Sequence, residues 1–234
     1  ADVIEGKVDY IEVMGFSDHK ATATVWYRLL NLGLRLPTGA GTDAMANYAS
    51  LRGPVGMNRV FLDTGGKRDA ASALDALKAG HGFASNGPLL GFLLDGARPG
   101  TQLAPGRHHY RVALRSPVAV DHLELVHNGQ VMKTFTLGGD RRHLDAEGDL
   151  ELDGGWVLLR AWNDGADPQV LDLYPYATTN PVWLGDHVLA ASARDDAAWF
   201  ARWMDRTIEA AAARDDYNTA AEKRMTLDYL GKAR

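Results

Sequence analysis

Residues 8–45 read VDYIEVMGFSDHKATATVWYRLLNLGLRLPTGAGTDAM, and how this stretch divides into elements decides the fold class. VDYIEVMGF (8–16) is rich in β-branched and aromatic residues and runs into Gly15, which predicts a strand with Glu12 inside it. From Asp18 to Leu34 the apolar positions Val25, Leu29, Leu30 and Leu32, with Trp26 and Tyr27 beside them, recur at helical spacing, and Gly33 supplies a stop. A short strand then leads into GAGTDAM (39–45), which holds one acidic residue, Asp43.

Further along, VGMNRVFLD (55–63) predicts a strand and ASALDALKAG (71–80) a helix ending in Gly80. Strands alternating with helices argue for a parallel α/β arrangement. After residue 85 the texture changes to short β-rich runs: PLLGFLL, HYRVALR, VDHLELVHN, QVMKTFTL, DLEL, GWVLLRAWN and NPVWL. Turn signals separate them, NG at 128–129, GG at 138–139 and 154–155, and DG at 95–96, 153–154 and 164–165. Roughly seven strands so spaced predict a β-sandwich of immunoglobulin-like size. From Ser192 the pattern is helical again, with Trp199, Phe200, Trp203 and Ile208 on one face. The expected division is therefore an α/β part over 1–86, a β-sandwich over 87–190 and C-terminal helices over 191–234.

With 46% hydrophobic and 24% charged residues, the chain of 234 residues can form a packed core in one large or two modest domains. The net charge of -5 and the absence of any long basic run leave out the electrostatic footprint of a nucleic-acid binder. There is no cysteine, so disulfides, thiolate metal sites and cysteine nucleophiles are excluded, and a metal would need histidine, carboxylate or carbonyl ligands. The sequence holds no apolar window of the roughly 18 residues needed to span a membrane. The stretch ADVIEGKVDYIEVM lacks the basic-then-apolar order of a signal peptide, but a processed chain would look the same, so the compartment, cytoplasmic or periplasmic and secreted, stays open.

A closed parallel barrel typically takes roughly 200 residues or more, against about 85 in the α/β part here. The expectation is that this chain is the C-terminal portion of a longer protein, or that another segment or subunit supplies the remaining strands.

Chemistry in α/β folds gathers on loops at the carboxyl ends of strands. Asp43 follows one predicted strand, and either caps a following turn, with Thr42 as the other capping candidate, or ligates a metal. Asp18 and His19, in FSDHK (16–20), follow the preceding strand and face the same side of the sheet. Ser17 or Asp18 is equally a helix cap, and a histidine at a helix start is more often simply solvated. Glu12 either points toward such a site or pairs with a lysine. Arg52, in SLRGPVG (50–56), has the planar fork that clamps an anionic group, and is just as easily a surface arginine. Asn86, in SNGP (85–88), is a turn residue first and a pocket-lining amide second. His108 and His109 occupy an alternating strand, face opposite sides and read as surface residues. No GxSxG elbow, phosphate-binding GxxxxGK[ST] loop or HExxH helix is present, and GAGTDAM lacks the glycine spacing of a dinucleotide fingerprint.

The stretches VDYIEVMGFSDH, WYRLLNLGLRLPTGAGTDAMANYASLRGPVGMNRVF, LKAGHGFASNGPLL and YPYATTNPVWL together resemble the C-terminal half of carbaryl-hydrolase-like (CehA/McbA) metallohydrolases, members of the PHP superfamily. The resemblance implies a distorted (β/α)7 barrel with a divalent metal cluster, zinc or manganese, at the carboxyl ends of its strands, hydrolysing ester, carbamate or phosphoester-type bonds in small molecules. The superfamily's last metal motif, an aspartate followed two residues later by histidine, falls on Asp43, with Met45 where the histidine would stand. Its early histidine-x-histidine pair has no counterpart in these residues, so this chain by itself is expected to be inactive. On this reading Asp43 and Glu12 are metal-ligand candidates. His19 is a ligand, a proton shuttle or an orienting partner, and Arg52 and Asn86 are candidates for substrate contact.

Two other classes stay in view. A β-sandwich that recognises carbohydrate or another polymer is motivated by Trp156, Trp162 and Trp183, and a non-catalytic structural domain is compatible with the same pattern. Oligomeric state is left open.

Overall fold

The computed structural model describes residues 1–45, 53–186 and 189–234. They form two compact units, Tyr10–Ala190, and Ala1–Asp9 together with Ala191–Arg234.

The larger unit begins with β1 (Ile11–Met14), α1 (His19–Asn31) and β2 (Thr38–Ala40). Then come β3 (Arg59–Leu62), α2 (Ala70–Lys78), β4 (Gly82–Ser85), β5 (Leu89–Leu94), β6 (Gln102–Leu103), β7 (Gly106–Arg115), β8 (His122–His127) and β9 (Gln130–Thr134). It closes with β10 (His143–Leu152), β11 (Gly155–Trp162), β12 (Tyr176–Thr179) and β13 (Val182–Leu184). The fold is mixed α and β, with mostly antiparallel pairing.

Local chemistry sets these boundaries. Asp18 caps α1 by accepting from the Ala21 backbone N–H at 2.8 Å, and Gly33, at φ +75°, lets the chain leave the helix. Asp69 caps α2 the same way through Ser72, and Gly80 ends it at φ +70°. The Asn128–Gly129 pair turns β8 into β9 with both residues at positive φ, as a two-residue hairpin requires.

β1 and β2 pair in parallel, Glu12 opposite Gly39, as the strand–helix–strand reading of 8–45 expects. The parallel expectation for residues 55–63 is corrected: β3 runs antiparallel to β4, and β4 antiparallel to β12. The physical reason is the connection. The helix between β3 and β4 is only Ala70–Lys78, and of its residues only Ala76 is buried, so it does not lie across a sheet as a crossover helix must. β3 and β4 thereby join an eight-stranded sheet ordered β3-β4-β12-β11-β13-β6, with β8 on β11 and β9 on β8. Strands on both sides of residue 86 thus share one sheet.

β5, β7 and β10 make a second, three-stranded sheet, in which β7 and β10 stay in register over ten residue pairs. The core between the sheets holds Leu90, Phe92 and Leu94 of β5, Tyr110, Val112 and Leu114 of β7, and Val157, Leu159 and Ala161 of β11. The alternate residues of β11, Trp156 and Leu158, face a second core with Val13, Met14, Ala23, Trp26, Tyr27 and Leu30. α1 and β1 therefore cover the other face of the large sheet. That is why β11 reads as a near-continuous apolar run and not as an alternating one. The buried indoles are satisfied: Trp26 donates to the Leu36 carbonyl and Trp156 to Asn31 Oδ1, both at 2.8 Å.

The smaller unit contains α3 (Ala193–Ala213) and α4 (Ala220–Gly231). Along α3 the rings of Trp199, Phe200 and Trp203 contact one another, with centroids 5.0–6.3 Å apart. Thr219 caps α4 through the Glu222 N–H, and Lys7 donates to the Tyr229 hydroxyl at 3.1 Å. Among the described residues no helix is long and apolar enough to cross a membrane.

Candidate functional site

The carboxyl ends of β1 and β2 lie side by side, and the Gly41 N–H donates to the Met14 carbonyl at 3.0 Å just beyond the paired residues. Glu12 projects into this corner. A Cβ on Gly41 would collide with Glu12 Oε1, and one on Gly15 would sit 3.2 Å from Oε2, so both glycines clear the space that the carboxylate occupies. Partial burial pushes the Glu12 carboxyl above its usual range, and the charge of Asp43 pushes it further the same way. Asp43 is exposed and sits at φ +54°, a left-handed conformation that aspartate tolerates better than most side chains. The structure thus brings Glu12 and Asp43 into electrostatic contact.

His19 takes a different place. As the first residue of α1 it is fully buried, against the rings of Tyr174 and Tyr176, and its Nε2 lies 2.9 Å from Asp172 Oδ2. Asn86 donates to the same oxygen at 2.9 Å and to the Tyr174 carbonyl, while its own Oδ1 accepts from the Tyr176 N–H at 2.7 Å. Burial pushes the Asp172 carboxyl up, but the hydrogen bonds from His19, Asn86 and the Leu173 backbone outweigh it and hold it below the usual carboxylate range. With Asp172 ionised, Nε2 of His19 is the donor. The other ring nitrogen, Nδ1, is buried and has no partner among the described residues. Asn86 pins the start of β12 and supports Asp172, so its amide is engaged by protein at both ends.

Asp18 is the helix cap. The Ala21 N–H chiefly, with help from the Tyr174 hydroxyl at 3.0 Å, holds its carboxyl below the usual range. The alternative capping role for Asp43 depends on residues 46–52, which lie outside the described ones, as does Arg52.

A cavity of about 340 Å³ reaches Asp172 and is lined by Gly15, Phe16, Ser17, Thr42, Gly53, Met57, Asn58 and Leu171–Leu173. Buried Thr42 accepts from the Asn58 N–H at 3.0 Å, and the Asn58 amide donates to the Gly41 carbonyl at 3.3 Å, which ties the cavity wall to the loop before Asp43. Leu171 stands at φ +58°, a costly conformation for leucine, immediately before Asp172.

Among the described residues no group of three or more histidines and carboxylates is placed to hold a metal. Glu12 and Asp43 offer two donor groups, His19 is directed at Asp172, and a divalent ion takes four or more ligands. The described residues do not by themselves fit a metal centre, and no chemical step is assigned to one.

Sequence reasoning missed Asp172, Asn58 and Tyr174. The signal for Asp172 is a lone carboxylate in the apolar run VLDLYPY (170–176), where burial demands a partner. The surface reading of His108 is corrected: it is 7% exposed, with Asp95 Oδ2 at 2.7 Å and the Ala104 carbonyl at 2.8 Å, whereas exposed His109 meets Asp149 on the opposite side of the strand. The three tryptophans that motivate a polymer-binding module are each packed by protein. Trp156 and Trp183 are buried, and Trp162 is stacked by His122 and approached by the Lys20 ammonium at 3.7 Å.

Compared with known proteins, the chain matches no family model, no curated protein and no solved structure.

Proposed function

We propose that this chain carries the C-terminal part of the active site of a metal-dependent hydrolase acting on ester, carbamate or phosphoester-type bonds. In this reading β1, α1 and β2 are the last strand–helix–strand of a (β/α)7 barrel, and Asp43 and Glu12 belong to a ligand set for zinc or manganese completed by groups other than the described residues. The observation that carries it is the pairing of Glu12 and Asp43 at the carboxyl ends of two parallel strands, beside a cavity of about 340 Å³. A half-buried carboxylate with a second negative charge beside it, as Glu12 has in Asp43, marks a place where a cation is favoured.

The chain's own groups have distinct duties in this proposal. Glu12 and Asp43 present negative charge at the floor of the corner. His19 is kept from solvent by burial, and its orientation is fixed by Asp172, which Asn86 supports in turn. Arg52 remains the candidate for contact with an anionic substrate group.

Protein purified from its natural source is expected to carry a divalent metal and to hydrolyse a p-nitrophenyl ester or phosphodiester, and Asp43→Ala should remove both. Retention of metal and activity in that variant would overturn the proposal.

A further inference from the structure

The cavity at this corner has a second property that hydrolysis does not explain. Asn58 is 5% exposed and lines the cavity. Its orientation is set by the hydrogen bond from Nδ2 to the Gly41 carbonyl, which leaves Oδ1 as the buried acceptor, and Oδ1 has no partner among the described residues. A buried carbonyl without a donor leaves its desolvation uncompensated, so this atom favours any ligand that brings an N–H or O–H to it.

The remaining lining narrows the choice. Asp172 is the only charged side chain among the described residues that line the cavity. Glu12 lies next to it, with its carboxylate against Gly15, and Asp43 follows Thr42, so among the described residues the charges around the cavity are negative. The mouth is apolar: Phe16 is 55% exposed, Leu171 64% and Leu173 55%, with Met57 beside them. Four apolar side chains around an acidic, acceptor-rich floor complement a cation carried on a hydrophobic group.

We propose that this cavity binds a primary ammonium attached to a small apolar group, the ammonium donating to Asn58 Oδ1 and facing Asp172 while the apolar part rests against Phe16, Met57, Leu171 and Leu173. The proposal gives a substrate or effector class to the cavity of the preceding reading and rests on that reading only for the place where a small molecule sits. Its binding requires no metal and no turnover.

Benzylamine, protonated at neutral pH, is the probe, titrated into the full ¹⁵N-labelled chain in the presence of a chelator. The side-chain amide signals of Asn58 and the backbone signals of Gly15, Thr42 and Leu173 should move together. Benzylamine should bind about tenfold more tightly than benzyl alcohol, the difference between a charged and a neutral donor, and benzoate should leave these signals in place. Asn58→Leu should lower benzylamine affinity about tenfold. If that variant does not fold, the Asn58 amide signals of the unaltered protein decide the matter. Equal binding of benzyl alcohol, binding of benzoate at these residues, or benzylamine shifts that spare Asn58 would each overturn the proposal. Because the chelator removes metal, loss of the hydrolase reading would leave these shifts unchanged, and loss of these shifts would leave that reading standing.

Discussion

His108 and His19 are both buried beside an aspartate, yet they stand in regions built on opposite terms. His108, in the antiparallel sandwich, has both ring nitrogens engaged, by Asp95 and by the Ala104 carbonyl. His19, at the corner where β1 and β2 end, has Nε2 engaged by Asp172 and leaves Nδ1 without a described partner. The same contrast holds for the surroundings. On β11 the Trp156 indole donates to Asn31, and the β8–β9 turn closes on Asn128–Gly129. The corner holds the buried Asn58 carbonyl, which has no partner among the described residues. Buried polar groups that are fully paired contribute to stability, whereas groups left incomplete in a cavity reserve their capacity for something that binds.

If the sandwich carries the stability, the largest effect belongs to its shared strand. Trp156→Ala, on the face of β11 packed against α1, is expected to cost roughly 3–5 kcal/mol in urea unfolding. A loss under about 1 kcal/mol would mean that α1 does not cover that face as described. Next comes the histidine pair itself. His108→Ala, which leaves half-exposed Asp95 and a carbonyl without the imidazole, should cost about 1–3 kcal/mol, and His19→Ala should cost more because it strands Asp172, whose side chain is 9% exposed against 44% for Asp95. Equal losses would erase the contrast.

The two carboxylates flanking the corner should respond to pH with opposite sign, measured with chelator present. Asp172 is held below its ordinary value of 3.8, so its contribution is present above that value and is lost as pH falls through the folded pKa. Asp172→Asn should therefore destabilise at pH 7, with the difference vanishing in acid. Glu12 is raised above 4.5, so its relative stabilisation is present below that value and lost as pH rises through the folded pKa. Glu12→Gln should raise the melting temperature at pH 7 and make no difference below pH 4.5. Matching pH profiles for the two variants would show that the site's charges are not arranged as described. At the small end, Arg115→Ala removes an exposed pair with Asp145 on the outer face of the three-stranded sheet and should change stability by about 0.5 kcal/mol or less.

How far the sequence reached follows the same line. β1, α1 and β2 were legible because a β-branched run, a helical period and glycine stops fell in order over residues 8–45. The β8–β9 hairpin was legible in its Asn–Gly pair. β10 was read only as DLEL, because along its ten residues charged side chains alternate with half-buried ones and only Leu152 is fully buried. β4 and β12 escaped notice as strands of the sheet, since GFAS and YATT carry weak periodicity and gain their place by pairing with each other and with β11. Alternation correctly set His108 and His109 on opposite faces, but it does not say which face is inside. At the site, the sequence set His19 and Asp43 on one face and left Glu12 either toward the site or paired with a lysine; the structure puts Glu12 beside Asp43 and turns His19 to Asp172. Asp172 could not be placed from the sequence, because its partners His19 and Asn86 lie 153 and 86 residues away in the chain.

The central claim is that Glu12 and Asp43 make the corner a cation site. Substoichiometric Mn²⁺ added to the ¹⁵N-labelled chain should broaden the amide signals of Gly15, Gly41 and Thr42 before all others, and Glu12→Gln with Asp43→Asn should abolish that order. Broadening that begins at the exposed carboxylates of β10, or that persists unchanged at the corner in the double variant, would contradict the account.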